Sequence, residues 1–166
     1  MDQIEPSAHT LCPVARSEDV VGDRWTVLIL RELFMRNHRF EEIQAQTEAT
    51  PQMIAARLKK LEVDGLIERR VYNERPRRHE YHLTEKGEAF YPVIKALRAW
   101  GENWLKSPEE GIAVNYTHLL CGGSAGLGPI CESCGKPLAR GEMKAEPSAA
   151  YVREREERSK KFKAER

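Results

Sequence analysis

The chain has 166 residues, 40% of them hydrophobic and 32% charged, with a formal net charge of +1. That is one domain, or one domain with a small appendage, and a membrane-spanning helix is not expected, because no apolar run approaches the roughly 20 residues such a helix needs. The opening MDQIEPSAHT is polar and acidic, unlike a secretory leader, so a cytoplasmic protein with no membrane partner is expected.

Charge is unevenly spread. Residues 1–30 carry five acids against Arg16 and Arg24, whereas residues 57–79 carry eight Lys/Arg against four acids. A local basic surplus on a nearly neutral chain is the footprint of a nucleic-acid face, or simply a solvated charged surface.

The first periodic segment, SEDVVGDRWTVLILRELFMRN (17–37), reads as one core helix, N-capped by Ser17 and carrying Gly22 inside it at a cost near 1 kcal/mol. RFEEIQAQTEAT reads as a short helix anchored by Phe40 and Ile43. The best-marked start follows in TPQMIAARLKKLEVDGL: Thr50 caps, Pro51 occupies the first helical position, and Gly65 suits the left-handed residue just past the end. Ile54, Leu58 and Leu61 should face inward, with Gln52, Ala56, Lys59 and Lys60 largely on the other side.

The period then changes to two. LIERRVYN and HEYHLT read as strands joined through NERPRR, a hairpin with Arg75, Arg77 and Arg78 at its tip. Thr84 can cap a further helix, EKGEAFYPVIKALRAWGENWLKS, which Pro92 bends or restarts and along which Phe90, Ile94, Leu97, Trp100 and Trp104 form an apolar stripe. Beyond Pro108 lie a cysteine segment and the polar YVREREERSKKFKAER, either an exposed helix with i,i+4 pairs or disordered.

Helix, short helix, turn, helix, hairpin is the order of a winged helix-turn-helix. The expected fold class is therefore mainly α with a small antiparallel β-hairpin, helical dimerisation elements and a cysteine-containing C-terminal extension. The expected partner is double-stranded DNA, because a helix fits the major groove and an arginine-tipped hairpin reaches flanking DNA. Thr50, Gln52, Met53, Ala56, Arg57, Lys59 and Lys60, with Arg75, Arg77 and Arg78, are the candidate contacts. A protein-interaction module, its arginines meeting an acidic partner, is the reading from another class.

CPVARSEDVVGDRWTVLILREL, RFEEI, RLKKLEVDGLIERR, EYHLTEKG and the late Trp100 together resemble the HxlR family of bacterial winged-helix transcriptional regulators, over roughly residues 10 to 105. The resemblance implies a homodimer, with N- and C-terminal helices forming the interface and two recognition helices meeting a near-palindromic operator. The stripe from Phe90 to Trp104 is the candidate dimer surface; packing within one chain is the other use for it. One departure stands out: family members often carry small or amide polar residues where this chain has Ala55 and Ala56, so fewer base contacts are available. Arg57 matches the family pattern, either on a phosphate or in helix packing.

Cysteine placement raises two questions. Cys12 precedes Pro13 near a helix start with Arg16 one turn on, a setting that favours thiolate. It is the redox-sensing candidate, since some HxlR-like regulators resemble this arrangement and sense oxidants or electrophiles; a small hydrophobe buried at the dimer interface is the alternative. His118-x2-Cys121-x9-Cys131-x2-Cys134 offers four ligands with metal-like spacing. A structural Zn2+, a plain thiol loop or reversible disulfide, and a catalytic or metal-sensing site all stay open, and no cofactor is required. The cysteine pair is not at a strand-to-helix junction of a βαβ unit, and the chain has no phosphate loop or catalytic dyad, so no enzyme is expected. Residues 10–106 are expected to form the DNA-binding and dimerisation domain, 107–147 a zinc-ribbon-like extension and 148–166 a charged tail. The sequence names no effector.

Overall fold

The computed structural model describes residues 10–165. It divides into two compact units, one ending at Glu88 and the other beginning at Ala89.

The first unit holds α1 (Pro13–Val21), α2 (Arg24–Phe34), α3 (Phe40–Thr47), α4 (Pro51–Val63), the hairpin β1 (Ile67–Glu74) and β2 (Arg77–Leu83), and the single turn α5 (Glu85–Glu88). The expected continuous helix 17–37 is two helices. The break falls at Gly22-Asp23, where the Asp23 carboxylate accepts from the N–H of Trp25 (2.9 Å) and Thr26 (3.1 Å) and so caps α2. Ser17 is correspondingly not a cap. It lies inside α1, and its hydroxyl donates back to the Pro13 carbonyl at 2.8 Å.

The core of this unit is apolar. Ile29, Leu30 and Leu33 of α2 pack with Ile43 of α3, Ile54, Leu58 and Leu61 of α4, and Leu66 and Ile67 at the hairpin entry, each nearly or completely buried. Fully burying one such side chain stabilises by about 1.5–3 kcal/mol. Within α2 the buried Glu32 is neutralised locally by Arg31 (2.7 Å) and accepts from the Asn37 amide (2.6 Å).

α4 begins and ends where its residues dictate. The Thr50 hydroxyl accepts from Met53 N–H at 3.3 Å. At the other end Gly65, at φ +73°, lets the chain reverse so that its N–H reaches Glu62 O (3.1 Å) and Leu66 N–H reaches Leu61 O (2.9 Å). β1 and β2 pair antiparallel from Ile67↔Leu83 to Glu74↔Arg77, with a bulge at Tyr72, so the turn is Arg75-Pro76. The far end of β2 is tied back to the end of α4. Thr84 N–H donates to Leu66 O (3.0 Å), the Thr84 hydroxyl to Gly65 O (2.6 Å), and Lys86 Nζ to Asp64 O (2.7 Å).

The second unit contains α6 (Tyr91–Trp104), a 3-10 turn (Pro108–Glu110), the hairpin β3 (Val114–His118) with β4 (Met143–Pro147), and α7 (Ala149–Ala164). Pro92 restarts the helix, as one of the two expected outcomes. α7 resolves the helix-or-disorder alternative for the tail, with Ser148 capping through Tyr151 N–H (3.2 Å) and Glu154 paired to Arg158 (2.6 Å). The β3–β4 pairing has no counterpart among the sequence expectations.

Among the described residues this unit buries only His118, Ala125 and Cys131. α6 is inverted relative to an ordinary amphipathic helix. Lys95 reaches Gly128 O (3.1 Å), Arg98 reaches Val114 O and stacks over Tyr116, and Glu102 accepts from Ala113 N–H (3.0 Å). Val93, Leu97, Trp100 and Trp104 are exposed, the last two at 56% and 75%.

Candidate nucleic-acid interface

α4 sorts the candidate contacts by burial. Thr50, Gln52, Ala56 and Lys59 are exposed and Met53 is half-buried, while Ile54, Leu58 and Leu61 anchor the opposite side. Helical spacing therefore presents one polar and one apolar face, as expected.

Two of the basic candidates are already engaged. Arg57 Nε lies 3.1 Å from Asp23 Oδ1, which joins α4 to the cap of α2. Lys60 Nζ lies 2.7 Å from Asp64 Oδ2, one turn on at the C-cap. Asp23 is thus a centre of convergence. Partial burial pushes its carboxyl up, but hydrogen bonds from Thr26 and Trp25, with the Arg57 guanidinium, outweigh this and hold it below the ordinary value. One helix drawn through Asp23 hides this role; the Asp-Arg-Trp-Thr order after Gly22 is the available signal.

Arg75, Arg77 and Arg78 are exposed around the hairpin turn. The base of the wing is braced against the start of α3. Arg39 pairs with Glu80 (3.1 Å) and lies over the Tyr72 ring, and Tyr81 N–H donates to His38 O (2.8 Å). His38 and His82 stack with centroids 4.4 Å apart. Arg39, Glu80 and His38 are residues that sequence reasoning does not single out. A cleft of about 230 Å³ between the wing and the start of α3 is lined by Phe40, Tyr72, Arg77, Arg78 and Tyr81 among others.

The remaining candidates are placed as follows. Cys12 is exposed and is the N-cap of α1, while Arg16 Nε donates to Thr10 O (2.6 Å). On α6, Leu97, Trp100 and Trp104 are exposed and Ile94 is half-buried, as is Phe90 at the helix start. His118, Cys121, Cys131 and Cys134 converge, one ligand atom of each lying within 4.8 Å of all the others, in an arrangement that could hold a metal ion. Among the described residues no helix is long and apolar enough to cross a membrane.

A three-helix core carrying a capped, half-exposed helix and a braced, arginine-tipped hairpin defines a winged helix-turn-helix protein. Residues 20–109 match the sequence profile described as HxlR-like helix-turn-helix, and the chain belongs to that family. An uncharacterized HTH-type transcriptional regulator of Mycobacterium tuberculosis strain H37Rv is 36% identical over 138 residues, 83% of this chain and 87% of the relative. A similar regulator of Methanothermobacter thermautotrophicus is 41% identical over 93 residues, 55% of this chain and 71% of the relative. Among solved structures, PA1607, described as a candidate transcription factor, superposes with a TM-score of 0.64 at 34% identity, covering 84% of this chain and 96% of that one. The redox regulator HypR in its reduced form gives 0.54 at 31% identity, covering 60% and 99%. The chain is a helix-turn-helix transcriptional regulator.

Proposed function

We propose that the chain binds operator DNA as a homodimer, with α4 in the major groove and the β1–β2 turn on flanking DNA. The observation that carries this is the half-exposed α4, whose polar face beside the exposed Arg75, Arg77 and Arg78 has no part in the core. Gln52, Met53, Ala56 and Lys59, with the cap Thr50, form the base-edge side. Arg57, engaged by Asp23, orients the helix and reaches a phosphate only by exchanging that partner. With two alanines, Ala55 and Ala56, where polar contacts would add readout, phosphate contacts supply a large share of affinity. The homodimer is supported by the outward apolar stripe on α6, whose polar residues already fill its inner side.

Fluorescence anisotropy with the protein's own upstream DNA, run beside sedimentation to follow the dimer, tests this reading. Replacing Arg75, Arg77 and Arg78 by Ala should weaken binding and flatten the plot of log affinity against log salt by about 0.9 for each phosphate that is no longer neutralised. Unchanged affinity and slope would remove the wing from the interface.

A second reading concerns input. Cys12 is the lone cysteine of the first unit, exposed at a helix start, and the similar HypR is a redox regulator. Cys12 as an oxidant sensor would pair with a second copy or a small thiol. Diamide should then release DNA from the wild type and not from Cys12→Ser; equal release from both would end this reading.

A further inference from the structure

The strongest unassigned feature is the four-residue cluster in the second unit, which the DNA-binding reading does not use. It is built from two turns of the same construction. In the first, HLLCGG, His118 N–H donates to Gly123 O (2.9 Å) and Gly122 N–H to His118 O (2.8 Å). In the second, CESCGK, Cys131 N–H donates to Lys136 O (2.8 Å) and Gly135 N–H to Cys131 O (2.9 Å). The flanking bridges correspond too, Thr117↔Ser124 and Ile130↔Pro137. Each turn has a left-handed glycine directly after its second ligand, Gly122 at φ +69° and Gly135 at φ +72°. His-x2-Cys and Cys-x2-Cys are thus the same turn, with a constant offset from 118 to 131 and from 121 to 134. The turns also meet closely, since a Cβ on Gly123 would overlap Ser133.

The separations between the ligand atoms fit a tetrahedral ion. A tetrahedral ion with bonds of about 2.3 Å to sulfur and 2.0–2.1 Å to nitrogen separates sulfurs by about 3.8 Å and sulfur from nitrogen by about 3.6 Å. Cys121 Sγ and Cys131 Sγ are 3.7 Å apart, and His118 Nδ1 lies 3.5 Å from Cys121 Sγ and 3.4 Å from Cys134 Sγ. A disulfide would need about 2.05 Å between sulfurs. The far side of the imidazole supports ligation through Nδ1. His118 is fully buried, and Nε2 has no hydrogen-bond partner but faces the Glu142 carboxylate at 4.0 Å, the group that orients a metal-bound histidine in many sites.

Burial gives the site its purpose. Of the three buried side chains among this unit's described residues, two, His118 and Cys131, are members of the cluster. We infer that His118, Cys121, Cys131 and Cys134 hold one structural Zn2+, which takes the place of an apolar core in the second unit. All four positions come from the protein, so the site is closed and carries no reactive water.

The test uses the full chain, purified under reducing conditions, stripped of metal and titrated with Zn2+ or Co2+ alone. The expected result is about one ion per chain and, for Co2+, the intense visible absorption of a tetrahedral thiolate site. Cys131→Ser and Cys134→Ser should each weaken binding by more than about 100-fold, while Cys12→Ser retains it. Because a ligand variant can fail simply by misfolding, the wild type is also digested with a protease. Chelation should speed cleavage within residues 107–147 by about tenfold or more, and Zn2+ should restore resistance. Binding no tighter than millimolar, a weak octahedral Co2+ spectrum, or equal cleavage with and without metal would each overturn the inference.

Discussion

The two units of this chain solve the problem of folding with different materials. The first packs Ile29, Leu30, Leu33, Ile43, Ile54, Leu58 and Leu61 into a continuous apolar centre. The second turns Lys95, Arg98 and Glu102 of its main helix inward and buries little beyond a histidine, a cysteine and an alanine. Apolar burial supplies stability in proportion to area, without direction. A tetrahedral cluster concentrates it in four directed bonds, and structural zinc in small fingers contributes about 10–16 kcal/mol. With the proposed zinc in place, the second unit needs no large apolar core of its own.

That contrast can be broken or sharpened by experiment, and removal of the proposed zinc is the largest perturbation. Next comes Leu61→Ala. It should cost the first unit about 2–5 kcal/mol in denaturant unfolding, while leaving the Co2+ spectrum of the second unit unchanged. A Co2+ signal that disappears in step with the first unit would show that the units do not fold separately. Smaller again is Asp23→Ala, which removes a helix cap and should cost about 1–2 kcal/mol. Its pH dependence has a definite sign. The folded Asp23 carboxyl titrates below its ordinary value of 3.8, so its contribution is complete above that pH and disappears as pH falls through the folded value. The gap between wild type and variant, measured by thermal unfolding, should therefore close in acid. A gap constant down to about pH 2 would remove the charge from the account and leave only the cap.

What could be read from the sequence follows the range of the forces involved. Thr50-Pro51 and Gly65 mark α4 because capping and left-handed turns are settled within a few residues. The alternation on either side of NERPRR marks the hairpin for the same reason. The break before Asp23 is hidden because VLILREL continues a helical period and the preceding residues tolerate one too; the competing side-chain cap decides it. β3 and β4 are hidden because VNYTH is short and its partner lies across the cysteine segment, so nothing local records the pairing. The ligand set is visible as spacing. Its equivalence as two copies of one turn emerges only from the backbone bonds, although Cys-Gly after each x-x pair is the clue. Arg57 can be suspected of a packing role, but Asp23 as its partner depends on how α2 and α4 cross.

The ties among Thr84, Gly65, Leu66, Lys86 and Asp64 have one more effect. They close the hairpin onto the end of α4, and Arg39–Glu80 braces its other side against α3. Helix and wing therefore form a caliper whose jaws are set before any duplex arrives. In the proposed complex a duplex must fit that gap or bend to it, so sequences that differ only in groove width or stiffness should be discriminated at positions no side chain touches.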